Sequence, residues 1–184
     1  MSQPFFTVGH SNRGLEAFIA LLAENRIDAI ADVRRLPGSR ACPQFDAGTL
    51  APALTVAGMS YAHFPALGGR RGRSADIEPA VNGFWTNASF HNYADYALTT
   101  EFQAALRELR RAGRGRCAIM CAEAVWWRCH RRIIADYLIV AGDSVFHLMG
   151  QGRSVMARLT PGASILPDGR LVYPAAGAAA AAAP

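Results

Sequence analysis

The chain has 184 residues, 51% of them hydrophobic and 18% charged, with a formal charge of +5 and a pI near 9.4. That balance excludes a disordered chain and is large enough for a full hydrophobic core. No apolar run reaches the ~20 residues of a membrane-spanning helix, and "MSQPFFTVGHSN" lacks the basic start and cleavage site of a secretory signal, so a cytoplasmic location is expected.

All 19 basic residues are arginine. The absence of lysine excludes Schiff-base chemistry and a Walker-type phosphate loop. Together with the heavy alanine content it points to a GC-rich coding bias, which weakens each arginine as a sign of deliberate anion recognition. The positive charge still favours anionic small molecules or nucleic acid as partners. In a reducing compartment Cys42, Cys117, Cys121 and Cys129 are expected as thiols.

Taken in chain order, "FFTVGH" reads as a first buried strand, and Leu15, Phe18, Ile19 and Leu22 then repeat at helical spacing. "DAIADVR" is a second strand, "TLAPALTVAG" a short helix and "SYAHFP" a third strand. Residues 65–92 form a long Gly- and Arg-containing connection, a length usually reserved for functional loops or disorder. "FHNYADYA" opens further helix. "TTEFQAALRELRRAG" is another, with Thr100 and Gln103 fitting a capping box and Gly113 suiting the stop. "CAIMC" is a fourth strand, "HRRIIADYLIVAG" a helix and "DSVFHLM" a fifth strand. "SILPDGRLVYP" reads as two short strands around an Asp-Gly turn. The closing "AAGAAAAAAP" is low-complexity and expected to be a disordered tail.

Near-continuous apolar strands alternating with helices predict one α/β domain over residues 1–174. Its expected form is three layers, α/β/α, around a mostly parallel sheet of about five strands, Rossmann- or flavodoxin-like, with a C-terminal β-hairpin. In such a sheet, ligands bind beyond the carboxyl ends of the strands, where the strand order switches direction. The putative strands end in polar residues there: His10, Ser11 and Asn12; Asp32 and Arg34; "LGGRR"; Cys121 and Glu123.

The densest stretch is "CAEAVWWRCHRRI", residues 121–133. A cysteine closing a strand, with arginines at the following helix start, favours a thiolate and cradles an anion. The layout is similar to that of phosphatases and rhodanese-type sulfurtransferases, but six residues separate Cys121 from Arg128 where that class has five. Cys129 is the alternative nucleophile. A metal reading draws on Cys121, Glu123, Cys129, His130 and His10, but the eight-residue spacing is not a metal knuckle, and no metal site is predicted. A purely structural reading buries the cysteines and pairs Glu123 with Arg131 or Arg34. Trp126 and Trp127 either cap the core or offer a stacking wall. His10 suits a general acid or base, or bonds its own loop. Asp32 and Arg34 share one strand face and can pair.

"TVGHSN", "ADVRRLPGSR…PQF", "PALGGRR", "W.NASF..YADY", "CAEAVWWRCHR" and "RLTP…DGRLVYP" together resemble domain-of-unknown-function family 488, from about Phe5 to Pro174. The resemblance implies a compact α/β domain with a C-[AD]-E…C-H-R motif, and some members carry an association with DNA repair. Its motif residues here are Gly9, His10, Ser11, Asp32, Arg34, Cys121, Glu123, Cys129, His130 and Arg131.

The reading that joins these features is an enzyme, a thiol-dependent hydrolase or transferase, acting on a phosphate-bearing substrate of nucleotide or nucleic-acid type. Cys121, Glu123, Cys129 and His10 are its candidate catalytic groups. Ser11, Asn12, Asp32, Arg34, Arg70, Arg128, His130 and Arg131 are its candidate substrate contacts, and its cofactors are left open. A noncatalytic nucleic-acid-binding or repair-accessory protein is the first alternative, and rhodanese-like sulfur transfer the second.

Overall fold

The computed structural model describes residues 4–175 other than residues 39, 114 and 151. The alanine-rich tail expected at the end of the chain lies, from residue 176 on, outside them.

The alternating pattern becomes β1 (Pro4–Gly9), α1 (Leu15–Glu24), β2 (Ala29–Asp32), α2 (Ala47–Val56) and β3 (Ser60–His63). There follow α3 (Ala88–Ala97), α4 (Thr100–Ala112), β4 (Cys117–Cys121), α5 (Arg131–Val140), β5 (Ser144–Gly150) and β6 (Arg153–Met156). Six strands form one sheet in the order β3-β2-β4-β1-β5-β6, with every pair parallel except β5 with β6. A separate hairpin pairs β7 (Ser164–Ile165) with β8 (Leu171–Val172) around Asp168-Gly169, where Gly169 takes a φ of 83°.

Period-two alternation divides the core into two layers. Phe6, Val8, Ile30, Ala118 and Met120 face α1 and α2, packing on Phe18, Leu22, Leu50 and Leu54. Phe5, Ala31, Val33, Cys117 and Ile119 face α3, α4 and α5, packing on Tyr93, Phe102, Leu106 and Ile134. The result is a three-layer α/β/α fold.

From β1 the chain leaves toward β2, and from β4 it leaves in the opposite direction, toward β5. Since β1 and β4 are neighbours, the switch point lies between their carboxyl ends, the crevice where ligands gather in such sheets. There the backbone zips tightly: His10 N–H donates to the Cys121 carbonyl and Ser11 N–H to that of Ala122, each at 3.0 Å. A Cβ at Gly9 would run into the Glu123 carbonyl.

Three details depart from the sequence reading. The sixth strand was missed because Arg153–Met156 is exposed throughout and carries no apolar alternation. The α4 cap is Thr99, whose extended backbone turns its hydroxyl onto Phe102 N–H at 3.3 Å; Gln103 instead donates to the Ala97 carbonyl. The long 65–92 connection is pinned down. Tyr93 and Tyr96 hydroxyls donate to the Leu67 and Ala66 carbonyls at 2.6 Å, and Arg71 donates to the carbonyls of Pro65, Ala66 and Gly68.

Gly9→Ala is expected to cost roughly 1–3 kcal/mol through overpacking of the β1–β4 seam, measured by denaturant unfolding. An unchanged midpoint would mean that the 122–124 backbone yields freely.

Candidate functional site

The sheet sorts the candidate residues into two groups that share a backbone but face opposite layers. On the α1/α2 side sit His10, Asp32 and Arg34. Asp32 is fully buried, and Arg34 grips it through Nε and Nη2, the shortest contact being 2.6 Å. Tyr61 donates its hydroxyl to the same carboxylate at 2.7 Å. Arg34 spends its remaining donors on the Phe45 carbonyl and His10 Nε2.

His10 Nδ1 donates to the Ser11 carbonyl at 2.8 Å, which leaves Nε2 as the acceptor for Arg34 and fixes a neutral tautomer. Its ring stacks on Phe45 at 4.1 Å. Burial holds its pKa below the ordinary histidine value, the Ser11 carbonyl partly opposing and the Arg34 charge adding to it. This cluster is closed on itself, and it anchors the second strand end. Ser11 (φ 52°) and Asn12 lie beside it at the surface, joined by a 3.3 Å hydrogen bond.

On the α3–α5 side the motif 121–131 gathers around one sulfur. Cys129 precedes the helix in an extended conformation, φ −127° and ψ 144°, and His130 is the N-cap of α5. These two neighbours therefore escape the helical divergence that adjacent positions would otherwise show, and their side chains meet. Cys129 Sγ lies 3.6 Å from His130 Nδ1 and accepts from Arg131 Nε at 3.2 Å. Cys121 Sγ lies within 4.8 Å of the same sulfur. His130 Nε2 donates to the Val33 carbonyl at 3.2 Å, so Nδ1 is the nitrogen left for sulfur. Gly69 makes room for that ring, since a Cβ there would sit 2.8 Å from Nδ1.

Arg131 is 1% exposed. Among the described residues no carboxylate lies within ion-pair distance of it; its partners are the Cys129 sulfur and the Glu123 carbonyl. A buried guanidinium without a counter-charge is strongly unfavourable. A thiolate at Cys129 would supply that charge. Burial alone would raise the Cys129 thiol, but the Cys121 hydrogen bond and the charges of His130 and Arg131 outweigh it and hold it well below the ordinary thiol range. The hydrogen bond to Cys129, with burial, pushes Cys121 well above it. The inner sulfur is 4% exposed and the outer one half-buried. Cys117, by contrast, is a core thiol that burial pushes up to about 12.

Among the described residues no arginine forms an ion pair with the Glu123 carboxylate. Oε1 accepts from Val125 N–H at 3.3 Å, while Arg131 takes the main-chain carbonyl. The arginine that faces the cysteines is Arg131, and Arg128 is exposed at the rim, as is Arg70 (φ 58°) next to Gly69. Arg35 donates to the Arg70 carbonyl at 2.9 Å, joining the ends of β2 and β3.

His147 carries no signal in the sequence beyond its place two residues after buried Val145 in β5. It bonds Thr7 Oγ1 at 2.7 Å and lies flat under Trp126 at 4.2 Å. Burial and the Arg131 charge push its pKa down to about 4. Trp126 is therefore a lid on this histidine, while Trp127 is 46% exposed.

As a donor set for metal, Cys121, Cys129 and His130 present ligand atoms all within 4.8 Å of one another. Their chemistry suits a soft or borderline cation, with Arg131 already placing a positive charge against one sulfur.

A thiol depressed in the folded state binds fewer protons there than in the unfolded chain, so its contribution to stability grows as pH rises toward the ordinary thiol value and fades as pH falls through its folded value. The stability gap between wild type and Cys129→Ser, read from denaturant unfolding, is accordingly expected to widen from acid toward neutral pH. A gap independent of pH would mean a neutral thiol. Asp32→Asn, which leaves Arg34 buried without its partner, is expected to cost about 3–5 kcal/mol in the same assay.

The family model for the domain of unknown function DUF488 matches residues 14–138, which takes in Asp32, Arg34 and the whole 121–131 motif and leaves out the Gly9–Ser11 turn and the C-terminal hairpin. No curated protein and no solved structure matches the chain. A match over more than half of the residues is enough to place it: the chain belongs to the DUF488 family.

Proposed function

We propose that this chain is a thiol-dependent enzyme, a hydrolase or transferase, whose substrate is a small anion of the phosphate-bearing, nucleotide or nucleic-acid type. The observation that carries the reading is the buried Arg131 guanidinium, whose acceptors are a sulfur and a carbonyl rather than a carboxylate. Holding a buried charge in this way stores a thiolate at neutral pH, which is the form of cysteine that reacts.

In this reading Cys129 holds the negative charge of the pair, and Cys121, the outer sulfur, delivers it by passing its proton inward along the S–H···S hydrogen bond. The N-terminus of α5 adds its positive end. Arg128 and Arg70 gather the anion at the rim, with Ser11 and Asn12 at the lip. Glu123, whose carboxylate is not ion-paired, exchanges the proton of the leaving group. His130 and Arg131 orient and charge the sulfur. His10, Asp32 and Arg34 hold the β1 and β2 ends in register behind the site.

Sulfur transfer is the second reading, favoured by the same two sulfurs lying side by side; it predicts a persulfide on one of them.

The test is a panel of nucleotides and sulfur donors, with binding followed by calorimetry and turnover by product. Arg70→Ala and Arg128→Ala are each expected to weaken anion binding by roughly three- to tenfold. Cys129→Ser should keep the binding and lose the turnover. Binding to nucleic acid that falls steeply with salt and is indifferent to Cys129→Ser would replace this reading with that of a noncatalytic nucleic-acid-binding protein.

A further inference from the structure

We infer that Cys121 and Cys129 form a reversible dithiol, closing to an intramolecular disulfide when the chain meets a small disulfide oxidant and reopening with thiol. The inference concerns the same two sulfurs as the proposed function, stands on their closeness to each other, and adds a two-electron exchange to the site.

The geometry supplies each requirement. The two sulfurs lie within 4.8 Å of each other. One is buried against the Arg131 guanidinium, the other only partly buried at the end of β4. The segment between them is irregular apart from the short 3-10 turn Trp126–Arg128, and it holds no strand that closure would break. Closing the bond requires the sulfurs to approach to about 2.0 Å.

The step balances as follows. Cys121 Sγ, having passed its proton to Cys129, attacks one sulfur of R–S–S–R; a Cys121–S–R bond forms, the S–S bond of the reagent breaks, and RS⁻ leaves. Cys129 then gives up that proton and attacks Cys121 Sγ, expelling a second RS⁻. The chain loses two electrons and two thiol hydrogens relative to the fully protonated pair, and the reagent is reduced to two thiols.

Arg131 sets the direction in which the couple leans. In the reduced state its charge is matched by the Cys129 thiolate; in the disulfide it faces a neutral sulfur and remains buried. Stabilising the reduced form in this way makes the disulfide an easily reduced one, as with other dithiols whose thiolate is held by charge. The oxidised pair also withdraws both sulfurs from the chemistry proposed above, so closure switches that site off.

The experiment treats the full chain with hydroxyethyl disulfide, then measures free thiols after denaturation together with the intact mass. Loss of two of the four thiols without added reagent mass, reversed by glutathione, is the expected result. Cys121→Ser and Cys129→Ser should each prevent that reversible closure, Cys121→Ser by removing the attacking sulfur and Cys129→Ser by stopping at a mixed disulfide on Cys121. Cys42→Ser should leave the two-thiol loss intact. Four free thiols after treatment, or a mixed disulfide on Cys121 that persists while Cys129 is present, would overturn the inference. So would zinc recovered in equal amount with the chain and blocking both sulfurs until it is chelated. Because no substrate is involved, failure here with turnover intact condemns only the dithiol. A Cys129 that ionises as an ordinary thiol would remove the functional reading, while the dithiol stands or falls on the thiol count.

Discussion

A single guanidinium, that of Arg131, organises the candidate site. It sits at the first position of α5, under the carboxyl ends of β1 and β4, sealed from water and facing no carboxylate among the described residues. A charge in that position demands either expulsion or a counter-charge. The fold cannot expel it: α5 is held from its far side by Asp136, which accepts from Thr160 N–H and the Tyr173 hydroxyl, and by Arg132, which donates to Thr160 Oγ1. Of the groups it touches, Cys129 is the one able to carry a counter-charge. The Arg131 charge lowers the Cys129 thiol and, after burial, adds to the depression of His147.

The split of the motif residues across the sheet follows from elementary alternation. His10, Asp32 and Arg34 point to one layer because they fall at odd steps from Gly9, Val33 and Cys121, which point to the other. The inner cluster trades its charges among its own members and keeps β1, β2 and the Phe45 turn in register. The outer cluster is left with reactive atoms. The two clusters thus lie back to back, sharing main-chain hydrogen bonds at the switch point.

Much of this was legible in the sequence. The alternation of "FFTVGH", "DAIADVR" and "CAIMC" with amphipathic helices marks a parallel sheet, and polar strand ends mark its ligand-binding edge. The Asp32–Arg34 pair could be read from their shared face, and the "CAEAVWWRCHR" stretch from its density of reactive types. What escaped depends on backbone geometry. Nothing in the order Cys129-His130-Arg131 reveals that Cys129 is extended, so the convergence of the other two on its sulfur looks impossible on a helix. Nor does composition distinguish exposed Arg128 from buried Arg131. His147 stayed hidden because its relevance comes from strand order, β5 lying beside β1, and the exposed β6 because an antiparallel edge strand needs no apolar pattern.

The most direct check of the account is the ionisation of Cys129 itself, followed as the difference in far-ultraviolet thiolate absorbance between wild type and Cys129→Ser across a pH titration of the folded chain. The account predicts one thiolate that persists well below the pH at which ordinary cysteines ionise, near 8.5. A difference spectrum that stays flat until that range, with Arg131 still buried beside a neutral thiol, would contradict it.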